Sequence, residues 1–234
     1  MKEYIRQSEE AKIKGLAVQK KFAEREFKGE LVRANKCLSE HDPVLANIIR
    51  KVGPCRLKPH KKYFETLVDA IVSQQLSLRA AETIFNRFKL LFNENRAFPS
   101  PEQIIAMDDL KLRGCGFSNA KVKYVKDLSS KVLDGTIKIH RLGVLPDEEI
   151  INELVQVKGI GVWTAHMFLI FCLARLNVLP VGDLGFKNAV KKNYKLKKFP
   201  SEKKVEEISK KYSWHPYRSV AAWYHWQSLS LKTV

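Results

Sequence analysis

Cysteine is sparse and scattered: Cys37, Cys55, Cys115 and Cys172 are separated by 18, 60 and 57 positions, with no C-x-x-C pair. That spacing excludes a local zinc or iron–sulfur site and gives no disulfide framework. Long apolar runs are missing as well. The longest, Ala165 to Ala174, is broken by His166 and falls far short of the roughly 20 residues a membrane helix needs. No basic-then-apolar leader opens the sequence, so an intracellular protein with reduced thiols and no membrane association is expected. Sustained period-two alternation is also absent, which leaves no signal for strands and makes the fold class all-α. Acidic residues are the last deficit, since 25 Asp and Glu face 42 Lys and Arg for a net charge of +17 over 234 residues. Such an excess points to a polyanionic partner, nucleic acid first, although a solvated lysine surface spread from Lys2 to Lys232 would also account for it.

What is present is a series of helices with readable ends. Residues 1 to about 30 are rich in Lys, Glu, Arg and Gln, as suits an exposed helix or arm. Asp42-Pro43 reads as a cap and first helical position, followed by a break at Gly53-Pro54. Apolar residues at 64, 67, 68, 71 and 72 form a helical stripe that stops at Gln74-Gln75. A polar pair there needs partners, so it marks an irregular helix end or an opening toward a ligand. Pro99-Ser100-Pro101-Glu102-Gln103 holds a cap and a capping-box glutamine, and Ser118 caps a helix after a Gly114-Cys115-Gly116 turn. Val162 to Ala174 is apolar nearly all round, as expected for a helix buried on every side.

The chemistry gathers between Leu154 and Asp183. Gly159 and Gly161 flank Ile160 between two helical segments, permitting a tight turn whose N–H groups face outward at a helix start, a geometry that suits a phosphodiester. A plain corner with glycine caps fits the same residues. Asp183, 22 positions after Gly161, is the one candidate reactive carboxylate, and it can equally serve as the N-cap of the helix beginning at Leu184.

The segment Val157-Lys-Gly-Ile-Gly-Val-Trp-Thr-Ala165 followed by Pro180-Val-Gly-Asp183 resembles the helix-hairpin-helix (HhH-GPD) DNA glycosylases, with their glycine/proline-rich loop ending in a catalytic aspartate. Three further stretches resemble the 3-methyladenine DNA glycosylase II branch in the same order: Ile71-Val-Ser-Gln-Gln-Leu-Ser77, Leu112 to Lys121, and Pro216 to Trp226. Together they span residues about 42 to 229. The resemblance implies that a damaged base is flipped from double-stranded DNA and its N-glycosidic bond hydrolysed, in base excision repair of alkylation damage. Asp183 would stabilise the oxocarbenium-like sugar and orient the attacking water. Related enzymes that also nick the strand carry a Schiff-base lysine where this chain has Trp163, so a monofunctional enzyme is implied.

The same resemblance assigns the remaining candidates. Trp163 and Trp226 would stack on a cationic alkylated base, of the 3-methyladenine or 7-methylguanine type, with His166, Met167 and Tyr224 lining the cavity. Each tryptophan could instead be ordinary core. Lys158, Gly159, Gly161 and Thr164 would hold one phosphate, with room for a monovalent cation at the carbonyls near Val157 and Gly159, and Ser118 and Lys121 would hold another. Gln75, or Gln74 or Leu76, would fill the hole left by the flipped base. No cofactor is required. The implied architecture is two-lobed without an N-terminal β domain: residues 68–178 form a middle domain with the hairpin, residues 1–67 plus 179–234 form a second, and the pocket lies between them. A monomer is expected, in the cytoplasm or nucleoid, or in the nucleus of a eukaryote. Two rivals stand beside this: a non-catalytic helix-hairpin-helix DNA-binding protein, and a glycosylase for another lesion, such as uracil or an oxidised purine.

Overall fold

The computed structural model describes the backbone of residues 2–92 and 98–231 and the side chains from residue 22 onward. Twelve α-helices and no strand occur among the described residues, in agreement with the all-α expectation. They divide into two compact units, residues 57–182 and residues 1–56 with 183–234. The expected boundary at residue 68 would have cut a helix that starts at Tyr63.

The discontinuous unit contains α1 (Lys2–His41), α2 (Pro43–Val52), α10 (Leu184–Asn193), α11 (Glu202–Lys211) and α12 (Arg218–Ser228). The N-terminal segment is thus helical, while exposure of its first 21 side chains lies outside the described residues. The α1–α2 corner is made by Asp42, whose Oδ1 accepts from Val44 N at 2.9 Å and Leu45 N at 3.1 Å, while Pro43 takes a position that needs no donor. Asp42 is fully buried, and its Oδ2 accepts from Trp214 Nε1 at 2.8 Å and from the Tyr194 hydroxyl. Donors on every side make this buried carboxylate tolerable. Helix α12 packs on α1, α2 and α10, and Trp214, Tyr224, Phe186, Leu38 and Leu45 form the centre of the unit.

The continuous unit runs α3 (Tyr63–Ser73), α4 (Leu78–Phe92), α5 (Pro101–Ala106), α6 (Asp109–Gly114), α7 (Asn119–Leu133), α8 (Asp147–Leu154) and α9 (Val162–Met167). The apolar stripe of α3 buries Leu67, Val68, Ile71 and Val72, and Phe85, Phe88, Phe98 and Phe117 form a ring cluster beside it. Ser100 and Gln103 make the capping box read from the sequence. The apolar segment after the hairpin differs from expectation. It widens into a π-helical turn over Phe168–Cys172, ends at Ala174 with φ 52°, and leaves Val162, Trp163 and Phe171 substantially exposed. Uniform apolarity there reflects several faces with different neighbours rather than burial on every side.

Candidate active site and DNA-binding hairpin

The hairpin grows out of the end of α8. Val157 N donates to Leu154 O and Ile160 N to Val157 O, winding the chain tightly, and the Val157 and Ile160 side chains are buried. Gly159 has φ 83°, and a Cβ there would lie 2.2 Å from the Tyr124 ring of α7, so glycine is required for both conformation and space. Gly161 differs: its backbone is ordinary, and a Cβ would meet nothing within 4 Å. It is the cap residue of α9 and brings no side-chain acceptor to the first-turn N–H groups.

Lys158 is exposed, its Nζ 3.9 Å from Asp127 Oδ1, while its backbone N donates to Asp127 Oδ2 at 2.9 Å. Burial opposes ionisation of Asp127, but Lys131 and the Lys158 N–H outweigh it and hold the carboxyl below its usual range. Thr164, expected on a phosphate, is only 5% exposed and faces inward because it lies on the buried side of α9. The two carbonyls expected near a monovalent cation both accept from protein donors, Val157 O from Ile160 N at 3.0 Å and Gly159 O from Gln74 Nε2 at 2.7 Å. The hairpin closes on protein donors.

Gln74 and Lys121 therefore have positions other than those expected. The Gln74 amide reaches across to the hairpin, and Lys121 Nζ donates to Val72 O at 2.7 Å and Gln74 O at 2.9 Å. An ammonium at the C-terminus of α3 satisfies orphaned carbonyls and complements the helix dipole. Burial lowers the Lys121 pKa below the usual lysine value. Ser118 accepts from Lys121 N at 3.2 Å and so acts as the α7 cap. The exposed tip of the α3–α4 turn is Gln75, with φ 56°, followed by exposed Leu76. Leu78, at the first position of α4, is 91% exposed. Periodicity alone does not single it out, because it reads as one more apolar residue of α4.

On α9, Trp163, His166 and Met167 share one face at spacings of three and four. Trp163 is 47% exposed, and His166 and Met167 are half-buried. Burial lowers the His166 pKa, which favours the neutral ring at neutral pH.

In the discontinuous unit, Asp183 caps α10. Its Oδ1 accepts from Phe186 N at 2.6 Å and from Trp226 Nε1 at 2.9 Å. The cap and the reactive carboxylate, posed as alternatives by the sequence, are compatible in one side chain. Gly185 stands close beneath, where a Cβ would come 3.3 Å from Asp183 Oδ1 and 3.7 Å from Trp226 Nε1. The sequence offered only a glycine in a first turn as a signal for that. Half-buried Trp226 leans on Phe186 with ring centroids 5.9 Å apart. Tyr224, expected to line the cavity, is fully buried, its hydroxyl 2.9 Å from both Asn35 Oδ1 and Gly53 O. The residue two before Trp226 on a helix faces away from it, here into α1 and α2. Among the described residues no cluster of three His, Cys, Asp or Glu could hold a metal.

The continuous unit thus carries a two-helix hairpin turned on a required glycine with a polar turn bonded to it, and the discontinuous unit a capped aspartate held by an indole. Residues 68–213 match the model of the HhH-GPD superfamily base excision DNA repair proteins, and the chain belongs to that family. It is 38% identical over 205 residues to DNA-3-methyladenine glycosylase 1 of Schizosaccharomyces pombe, covering 86% of this chain and 89% of the relative. It is 36% identical over 198 residues to the alkylbase DNA glycosidase-like protein mag2 of the same yeast, covering 83% and 92%. Among solved structures, that of the S. pombe 3-methyladenine DNA glycosylase Mag1 in complex with abasic DNA superposes with a TM-score of 0.75 and 36% identity, over 86% of this chain and all of that one.

Proposed function

We propose that this protein is a monofunctional DNA glycosylase that releases alkylated purines of the 3-methyladenine and 7-methylguanine type from duplex DNA, leaving an abasic site. The observation that carries the reading is the Asp183 carboxylate, oriented by two donors to Oδ1, the Phe186 N–H and the Trp226 indole. As the glycosidic bond breaks, positive charge develops on the deoxyribose, and a carboxylate held in place stabilises it without reorganising. Asp183 then orients a water for attack on the sugar carbon and takes its proton, so that base and hydroxylated sugar are the products. An alkylated purine is already cationic and leaves without a strong general acid.

The hairpin supplies the grip. The α9 N-terminus beside Gly161 and the Lys158 ammonium suit a backbone phosphate, which fixes register but reads no sequence. Gln75, at the exposed tip of its turn, is the wedge that takes the place of the flipped base, with Leu76 beside it. Trp163, with an exposed ring and no amine, serves stacking rather than Schiff-base chemistry. Trp226 serves chiefly to aim Asp183. The protein acts as an intracellular monomer on damaged DNA; no described helix is long and apolar enough to cross a membrane.

The test is a panel of duplexes carrying 3-methyladenine, 7-methylguanine, uracil or 8-oxoguanine, scored for free base and, under borohydride, for trapped protein. Release of the methylated purines without trapping is the expected result. Release confined to uracil or 8-oxoguanine would contradict the assigned substrate, and a trapped adduct would contradict monofunctional chemistry.

A further inference from the structure

The α3–α4 turn and the hairpin before α9 are separated by some 85 residues, yet one side chain joins them directly: Gln74 Nε2 donates to Gly159 O at 2.7 Å. Helix α7 ties both from the other side. Its residues Lys121, Tyr124 and Asp127 are spaced three apart, and each holds one part of the assembly. Lys121 takes the last carbonyls of α3, Tyr124 fills the space beneath Gly159, and Asp127 fixes the Lys158 N–H. A non-glycine residue at φ 56°, as Gln75 is, persists only where its surroundings over-determine it. These ties do so.

We infer that Gln74 and Lys121 are positioning residues that lock the Gln75 turn to the phosphate-facing hairpin, so that gripping the backbone and presenting the wedge are a single event. The inference rests on the glycosylase reading for the roles of the two parts, and on the hydrogen bonds alone for their connection. A wedge on a loose turn would lose its leverage only where a base pair has to be opened. The consequence is a substrate-dependent defect. Losing the Gln74 tie should slow release of a paired lesion and have far less effect on one whose pair is already broken.

Gln74→Met keeps the length of the side chain and removes its donor. Single-turnover base release is measured from one duplex with the lesion paired and another with the lesion opposite an abasic analogue. Flipping is followed separately by 2-aminopurine fluorescence beside a non-cleavable abasic analogue. Release from the paired duplex should fall about 10-fold, the scale of one well-placed hydrogen bond, and release from the unpaired lesion no more than about 2-fold. The melting temperature should fall by no more than a few degrees, and the 2-aminopurine signal should fall. Lys121→Met should show the same split; should it fail to fold, Gln74→Met decides alone. Equal losses on both substrates, or none on either, would overturn the inference. If the wild type releases no base, the glycosylase reading fails, and the fluorescence still decides: a wild-type signal in Gln74→Met rejects the tie, a reduced one upholds it.

Discussion

Gly159 and Gly161 stand one residue apart and answer to different constraints. At Gly159 a methyl group would collide with Tyr124 in a backbone conformation that L-residues rarely adopt; at Gly161 it would meet open space on an ordinary backbone. Gly159→Ala should therefore lower stability by about 2–4 kcal/mol, combining backbone strain with overpacking. Gly161→Ala should change the melting temperature little and weaken DNA binding by about 10-fold, because the methyl stands where a phosphate would approach. Thermal melts and a binding titration of both variants check this, and equal destabilisation would contradict it. Glycine spacing could locate the hairpin in the sequence but could not separate these roles, since what a Cβ would strike depends on Tyr124, some 35 residues away. The burial of Thr164 and Tyr224 was not legible for the same reason: a motif fixes chain positions, while helix rotation decides which of them face solvent. Asp183 was legible as the cap of α10, but its bond to Trp226 was not.

At the scale of elements, α10 and α12 clasp the aspartate through an unusual interior. His225 of α12 is wholly buried, ringed by Phe186, Tyr194 and Trp214, with Nδ1 2.8 Å from Asn193 Nδ2. Burial depresses its pKa to about 3, and Nε2 finds no partner. The folded state holds the ring neutral while the unfolded chain takes up a proton below about 6.5. Stability from this residue is therefore complete above that pH and is lost as pH falls toward 3, at up to about 1.4 kcal/mol per pH unit. Melting curves between pH 7 and 4 should show a steeper loss for the wild type than for His225→Phe, and parallel curves would refute the assignment. Most helices, with their caps at Asp42, Ser100 and Ser118, were legible in the sequence because caps and stripes are local. The π-helical turn at Phe168–Cys172 was not, because a helix widens in response to packing, and the composition there would suit a regular helix equally well.

For the molecule as a whole, the charge of +17 suits affinity for DNA, and the proposed mechanism puts the chemistry on the Asp183 carboxylate of the discontinuous unit. The two can be separated by experiment. Asp183→Asn keeps an acceptor for Phe186 N and the Trp226 indole but removes the negative charge that the proposed mechanism sets against the developing sugar cation. Single-turnover release of 7-methylguanine from a defined duplex, measured with DNA affinity at matched salt, tests the central claim most directly. Release should fall on the order of 100-fold or more in Asp183→Asn while affinity stays within about 3-fold of the wild type. Undiminished release by Asp183→Asn would show that the reaction does not depend on this carboxylate.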